Sequence, residues 1–203
     1  METTDATKRK FLTLLTTNFA APVLIFAFSL IVKECLPSFM VNIGGHEQSL
    51  INHIFLYAVP TFIYMFIYVK LWSLGSHVHN RKYKTGLVLL MIACLYGTIP
   101  QVLYLWDVVS PIALSFIHAA AAIVSIIGLF MFINNSYASR NLKIFVKCTP
   151  FIGMLLNMIG SLIDMQFYVF VNICCNLIIF LIVYRMVRKE IPDGIMKEAR
   201  SEA

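Results

Sequence analysis

A chain of 203 residues that is 60% hydrophobic and only 13% charged is more apolar than a soluble domain, whose apolar share is nearer half. Sixteen Lys and Arg against ten Asp and Glu leave a net charge of +6, yet no basic block is interleaved with aromatics, so no direct nucleic-acid binding is expected. The partner implied by composition is the lipid bilayer, and the expected location is integral and multi-pass, in a plasma or inner membrane.

The first element follows a basic cluster, Lys8-Arg9-Lys10, and runs apolar from Phe11 to Val32. It is too long for the core of a secretory signal and has no small-residue cleavage site, so it reads as a retained helix. Further runs cover Leu50 to Val69, Thr85 to Trp106, Val108 to Ile133, Ile144 to Ile163 and Met165 to Tyr184. Each approaches the roughly 20 helical residues that cross a hydrocarbon core of about 30 Å. None alternates with period two, and backbone amides in hydrocarbon must be paired within each crossing. The expected fold is therefore all-α, a six-helix membrane bundle occupying residues 11–186, with a short tail at 1–10 and a basic and polar tail at 187–203.

Charge placement tests the count independently, because Lys and Arg accumulate in alternate, cytoplasmic connections. Lys8, Arg9 and Lys10 precede the first helix; Arg81, Lys82 and Lys84 follow the second; Arg140 and Lys143 follow the fourth; Arg185, Arg188 and Lys189 follow the sixth. The other face has only Lys33, beside Glu34, Glu47, Asp107 and Asp164. Both termini are thus expected in the cytoplasm, with the basic residues at the membrane surface. Turns at Trp106-Asp107 and at Asp164 make helices three and four, and five and six, antiparallel hairpins. The longer outer connection, Lys33 to Ser49, reads as a surface loop.

Cys35, Cys94, Cys148, Cys174 and Cys175 are odd in number, contain no C-x-x-C pair and mostly lie within apolar runs. Neither a disulfide framework nor a zinc site is expected, and no cofactor is implied. His77 and His79 lack further ligands; His46, Glu47 and His53 could converge on a metal only if the outer connection brought them together. Pro22, Pro60, Pro100 and Pro111 are expected to kink or begin helices.

At a rise of about 1.5 Å per residue, Gln101, His118, Asn157 and Asn172 fall roughly 7–15 Å below the predicted outer ends of their helices. Thr98 shares a face with Gln101 and Cys94, Ser115 and Ser125 with His118, Ser161 with Asn157, and Asn176 with Asn172. Polar side chains facing lipid are costly, so these faces should point inward. They read either as a polar ligand pocket of Gln101, His118, Asn157, Asn172, Ser161 and Thr98, or as hydrogen-bonded contacts between helices. The run Ala119 to Ala122 removes side-chain bulk, making Ala119 and Ala122 candidates for close helix packing.

No carboxylate lies centrally in any crossing and no catalytic motif is present, so no catalytic residue is assigned. The function expected first is non-catalytic: helix–helix assembly, as an accessory or regulatory subunit of a membrane or cytoplasmic protein, or as a homo-oligomeric permeability element. The alternatives are a carrier or binder of a small molecule, and an intramembrane enzyme that uses His118 on a lipid-like substrate.

Overall fold

The computed structural model describes residues 4–35, 40–43, 46–49, 58–75, 80–105, 108–160 and 165–191. Among them are six helices: α1 (Thr4–Cys35), α2 (Val59–Leu74), α3 (Arg81–Leu105), α4 (Pro111–Asn134), α5 (Arg140–Gly160) and α6 (Met165–Glu190). Three helical stretches are long and apolar enough to cross a membrane: Arg81–Pro100, Pro111–Asn134 and Val171–Glu190. The chain departs from all-α between α1 and α2, where β1 (Met40–Ile43) pairs antiparallel with β2 (His46–Ser49), Met40 opposite Ser49 and Ile43 opposite His46. The connection expected there as a loop thus includes a short strand pair.

Helix starts follow from capping. α4 begins at Pro111 rather than Val108 because Ser110 is its N-cap, the Ser110 hydroxyl accepting from Ala113 N at 3.3 Å, and proline suits the first helical position. Val108 N instead donates to Leu103 O at 3.0 Å, back toward the end of α3. Asn80 caps α3 by accepting from Lys82 N at 3.0 Å. Ser139 does the same for α5, where Leu142 N donates to its hydroxyl at 3.4 Å, so Arg140 and Lys143 are helical rather than in a connection. Pro60 opens α2, while Pro22 and Pro100 lie inside α1 and α3.

The chain divides into two compact units, Ala20–Ser136 and Met1–Phe19 with Tyr137–Ala203, and α1 contributes to both. In the first, α3 and α4 make the most extensive helix pair and α2 packs on α3. Buried Gly86 and Gly128 mark the crossing of α3 and α4: a Cβ on Gly86 would stand 2.5 Å from Phe132 N and 2.7 Å from Gly128 O. Lipid tails are as apolar as leucine, so helix association in a membrane relies on close van der Waals contact, which glycine permits. Around this crossing Ile67, Leu71, Tyr83, Leu87, Phe132 and Ile133 are buried. The Tyr83 and Phe132 rings lie 5.1 Å apart, and the Tyr83 hydroxyl donates to Leu71 O at 3.0 Å. One turn away, Asn80 Nδ2 donates to Asn135 Oδ1 at 2.6 Å, which ties the start of α3 to the end of α4.

In the second unit α5 packs on α6. Phe11, Leu12, Leu15, Leu142, Val146 and Val183 are buried, and the Phe11 ring meets Tyr137 edge-on at 6.1 Å. The Glu190 carboxylate, at the end of α6, accepts from Ser139 N at 3.1 Å and from the Ser139 hydroxyl. An anion at the N-terminus of α5 is favoured by the helix dipole.

Candidate functional site

Thr98 faces α2, where its hydroxyl hydrogen-bonds that of Thr61; Thr98 Oγ1 also lies 3.2 Å from Cys94 O, its own helix's carbonyl four residues back. Three residues on, Gln101 continues α3, but its side chain is outside the described set. On α4, the Ser115 hydroxyl donates to Pro111 O at 3.0 Å, one turn back. His118 is half-buried and makes no hydrogen bond among the described residues. In the other unit, Asn176 Nδ2 donates to Asn172 Oδ1 at 2.7 Å and to Asn172 O at 2.8 Å, so the two amides sharing a face bond each other. Asn157 lies in α5 with its side chain outside the described set; Ser161, His53, His77, His79, Asp107 and Asp164 are outside it altogether.

The candidate pocket residues are therefore divided between the two units, Thr98, Gln101 and His118 in one, Asn157 and Asn172 in the other. Apart from His118, the described members are satisfied locally: a threonine pair between helices, an asparagine pair along one helix, and serine and threonine hydroxyls turned onto carbonyls of their own helix. Such hydroxyl-to-carbonyl bonds let polar residues lie within an apolar helix without an external partner. Thr13, Thr16 and Thr17 of α1 do likewise, at 3.0, 2.9 and 3.0 Å.

Sequence reasoning missed Thr61. The available signal was depth: counted from the expected outer ends, Thr61 lies roughly 16 Å down and Thr98 about 12 Å. It also missed Gly86 and Gly128, two isolated glycines in apolar helices. Within the alanine run, Ala121 is buried while Ala119 and Ala122 are exposed. The close backbone approach inside this chain lies at Gly86 and Gly128 instead, because the face of α4 that meets α3 carries Ala121, Gly128 and Phe132.

Arg81, Lys82, Arg185, Arg188 and Lys189 are exposed, as are Arg9 and Lys10, with Lys8 and Lys84 half-buried. Lys84 Nζ stands 5.8 Å from the centre of the Trp72 ring, and Lys70 Nζ 5.4 Å from that of Phe66. Long cationic side chains laid along aromatic rings keep their stems in apolar surroundings and their heads near water.

Cys94, Cys148, Cys174 and Cys175 are free thiols, and no group of three metal-ligating side chains occurs among the described residues. The chain matches no protein-family model, no curated protein and no solved structure.

Proposed function

We propose that this chain is a non-catalytic membrane protein with six crossings and both termini in the cytoplasm, acting by helix–helix assembly as an accessory subunit or as a homo-oligomeric permeability element. One observation carries this reading: among the described polar groups at membrane depth, Thr61 and Thr98 bond across two helices, while Asn172 with Asn176, and Ser115, bond within their own helices. Polar residues used in this way join and order helices rather than await a substrate. The basic residues at the helix ends favour the same topology. A large apolar surface remains for assembly in the bilayer plane: Ile112, Phe116 and Ile123 of α4 are 72%, 73% and 59% exposed, with Ala119 and Ala122 among them.

The test is crosslinking in native membranes, with a single cysteine at Ala119 or Ala122 in a chain whose own cysteines are replaced by serine or alanine. A discrete crosslinked species is expected. If no assembly forms at either position, or with a membrane-permeant lysine crosslinker, the assembly reading fails. Reporter fusions at the two ends check the topology and are expected to report the same, cytoplasmic, side.

A second reading, binding of a small molecule, keeps in its favour His118, which is half-buried and makes no hydrogen bond among the described residues. A small molecule that co-purifies with the chain and is lost on His118→Ala would establish it.

A further inference from the structure

α1 and α5 each carry a proline in the helix interior and accommodate it differently. A proline has no N–H to give the carbonyl four residues back, and its ring crowds that carbonyl. In α5, Pro150 frees Val146 O, and the Thr149 hydroxyl donates to it at 2.8 Å. In α1, Pro22 frees Asn18 O. Ala21 stands where Thr149 stands relative to the proline, so no hydroxyl replaces the missing N–H. The nearest threonines are committed elsewhere: Thr16 Oγ1 donates to Leu12 O at 2.9 Å and Thr17 Oγ1 to Thr13 O at 3.0 Å.

The Asn18 side chain adds to the deficit. Its Oδ1 is buried and has no hydrogen-bond partner, a condition that no other buried side-chain polar atom shares among the described residues. An unpaired buried acceptor is costly, which disfavours the conformation that holds it and keeps another within reach. Position matters as well. This turn lies near the middle of α1 (Thr4–Cys35), with a long helical arm on each side, whereas Pro100 of α3 is little more than a turn from the end of that helix at Leu105. The division between the two compact units falls between Phe19 and Ala20, inside the same turn.

We propose that the turn from Asn18 to Pro22 is a hinge at which α1 changes its bend, its first half moving with the unit of α5 and α6 and its second half with the unit of α2, α3 and α4. The missing helical bond lets the turn open without breaking another, and a few residues of this kind are enough to absorb the change in backbone angles. This hinge is independent of how many helices cross the bilayer and of any assembly between chains.

The experiment is double electron–electron resonance on the full chain in mild detergent, its own cysteines replaced and spin labels placed at Lys82 and Lys189, exposed positions in different units. Lys82 with Ile112, both exposed and within one unit, is the control pair. The first pair is expected to give two distance populations and the control a single narrow one. Ala21→Ser supplies the hydroxyl that α5 has in Thr149, and Pro22→Ala restores the N–H. Each is expected to shrink the minor population about fivefold, the effect of one added hydrogen bond. Asn18→Leu, which removes the unpaired acceptor, should shrink it too. A single narrow population for the first pair in the parent chain overturns the proposal. So do two populations that persist unchanged in both Ala21→Ser and Pro22→Ala while the control stays narrow. Ala21 is buried, so a broadened control in Ala21→Ser marks lost packing, and Pro22→Ala then decides.

Discussion

Replacing Gly86 with alanine tests the crossing of α3 and α4. The new methyl would lie 2.5 Å from Phe132 N, 2.7 Å from Gly128 O and 2.9 Å from Phe132 Cα, all of them backbone atoms. No side-chain rotation can relieve these contacts, so the two helices must separate by about 0.9 Å to reach ordinary van der Waals distance. A gap of about 0.5–1 Å forfeits a quarter to a half of each contact's attraction, and the loss extends to buried Tyr83, Leu87 and Phe132. Overpacking of this kind costs about 1–3 kcal/mol, and backbone obstacles place it near the upper end. The helix-propensity gain of alanine over glycine returns about 1 kcal/mol. The net is about 2 kcal/mol, or a fall of about 4–8 °C in Tm for a chain of this size. Gly97 supplies the control, because nothing lies within 4 Å of a Cβ built there; Gly97→Ala should be neutral or slightly stabilising. Gly128→Ala, whose methyl would meet Gly86 O and Leu89 Cβ at 2.9 Å, should fall between. Thermal unfolding of the detergent-solubilised chain, followed by size-exclusion recovery, reads all three. A Gly86→Ala protein as stable as Gly97→Ala would refute the close crossing.

Tyr83→Phe keeps the ring against Phe132 but loses the buried bond to Leu71 O, an expected cost of about 1 kcal/mol in the same unfolding assay. Thr98→Val removes the bond to Thr61 and should cost about 0.6 kcal/mol; a much larger loss would indicate that Thr98 does more than join two helices. Ser139→Ala removes the N-cap of α5 and a partner of Glu190, so about 1 kcal/mol should be lost. Lys143 gives a signed pH dependence. Its folded-state pKa lies below the unfolded lysine value of 10.5, so between the two the unfolded chain binds more protons and stability rises with pH. Tm recorded from pH 8 to 10.5 should rise in the parent chain relative to Lys143→Gln, and parallel profiles would contradict the burial of Lys143 beside Lys147.

The apolar runs and the basic residues between them were readable because lipid exposure and charge placement are one-dimensional constraints. Every described helix overlaps a segment expected from hydropathy. Helix ends were less legible. Val108 belongs to an apolar run, but Ser110 and Pro111 decide where α4 starts, because a hydrogen-bonded cap outweighs hydropathy at an end. The strand pair at Met40–Ile43 and His46–Ser49 was passed over for a similar reason: eight mixed residues carry little period, and the pairing needs a partner strand that hydropathy does not reveal.

Sequence alone determined that the chain carries helices apolar enough to cross a bilayer, where those helices lie and which residues carry its charge, since these follow from composition and order along one chain. Tertiary structure decided which polar groups meet and which small residues lie at a crossing. Thr98 found Thr61, and Gly86 met Gly128 while Ala119 and Ala122 stayed outside. Helical spacing shows which residues share a face; the direction of that face depends on how neighbouring helices pack, and in lipid that choice rests on close contacts between residues far apart in sequence.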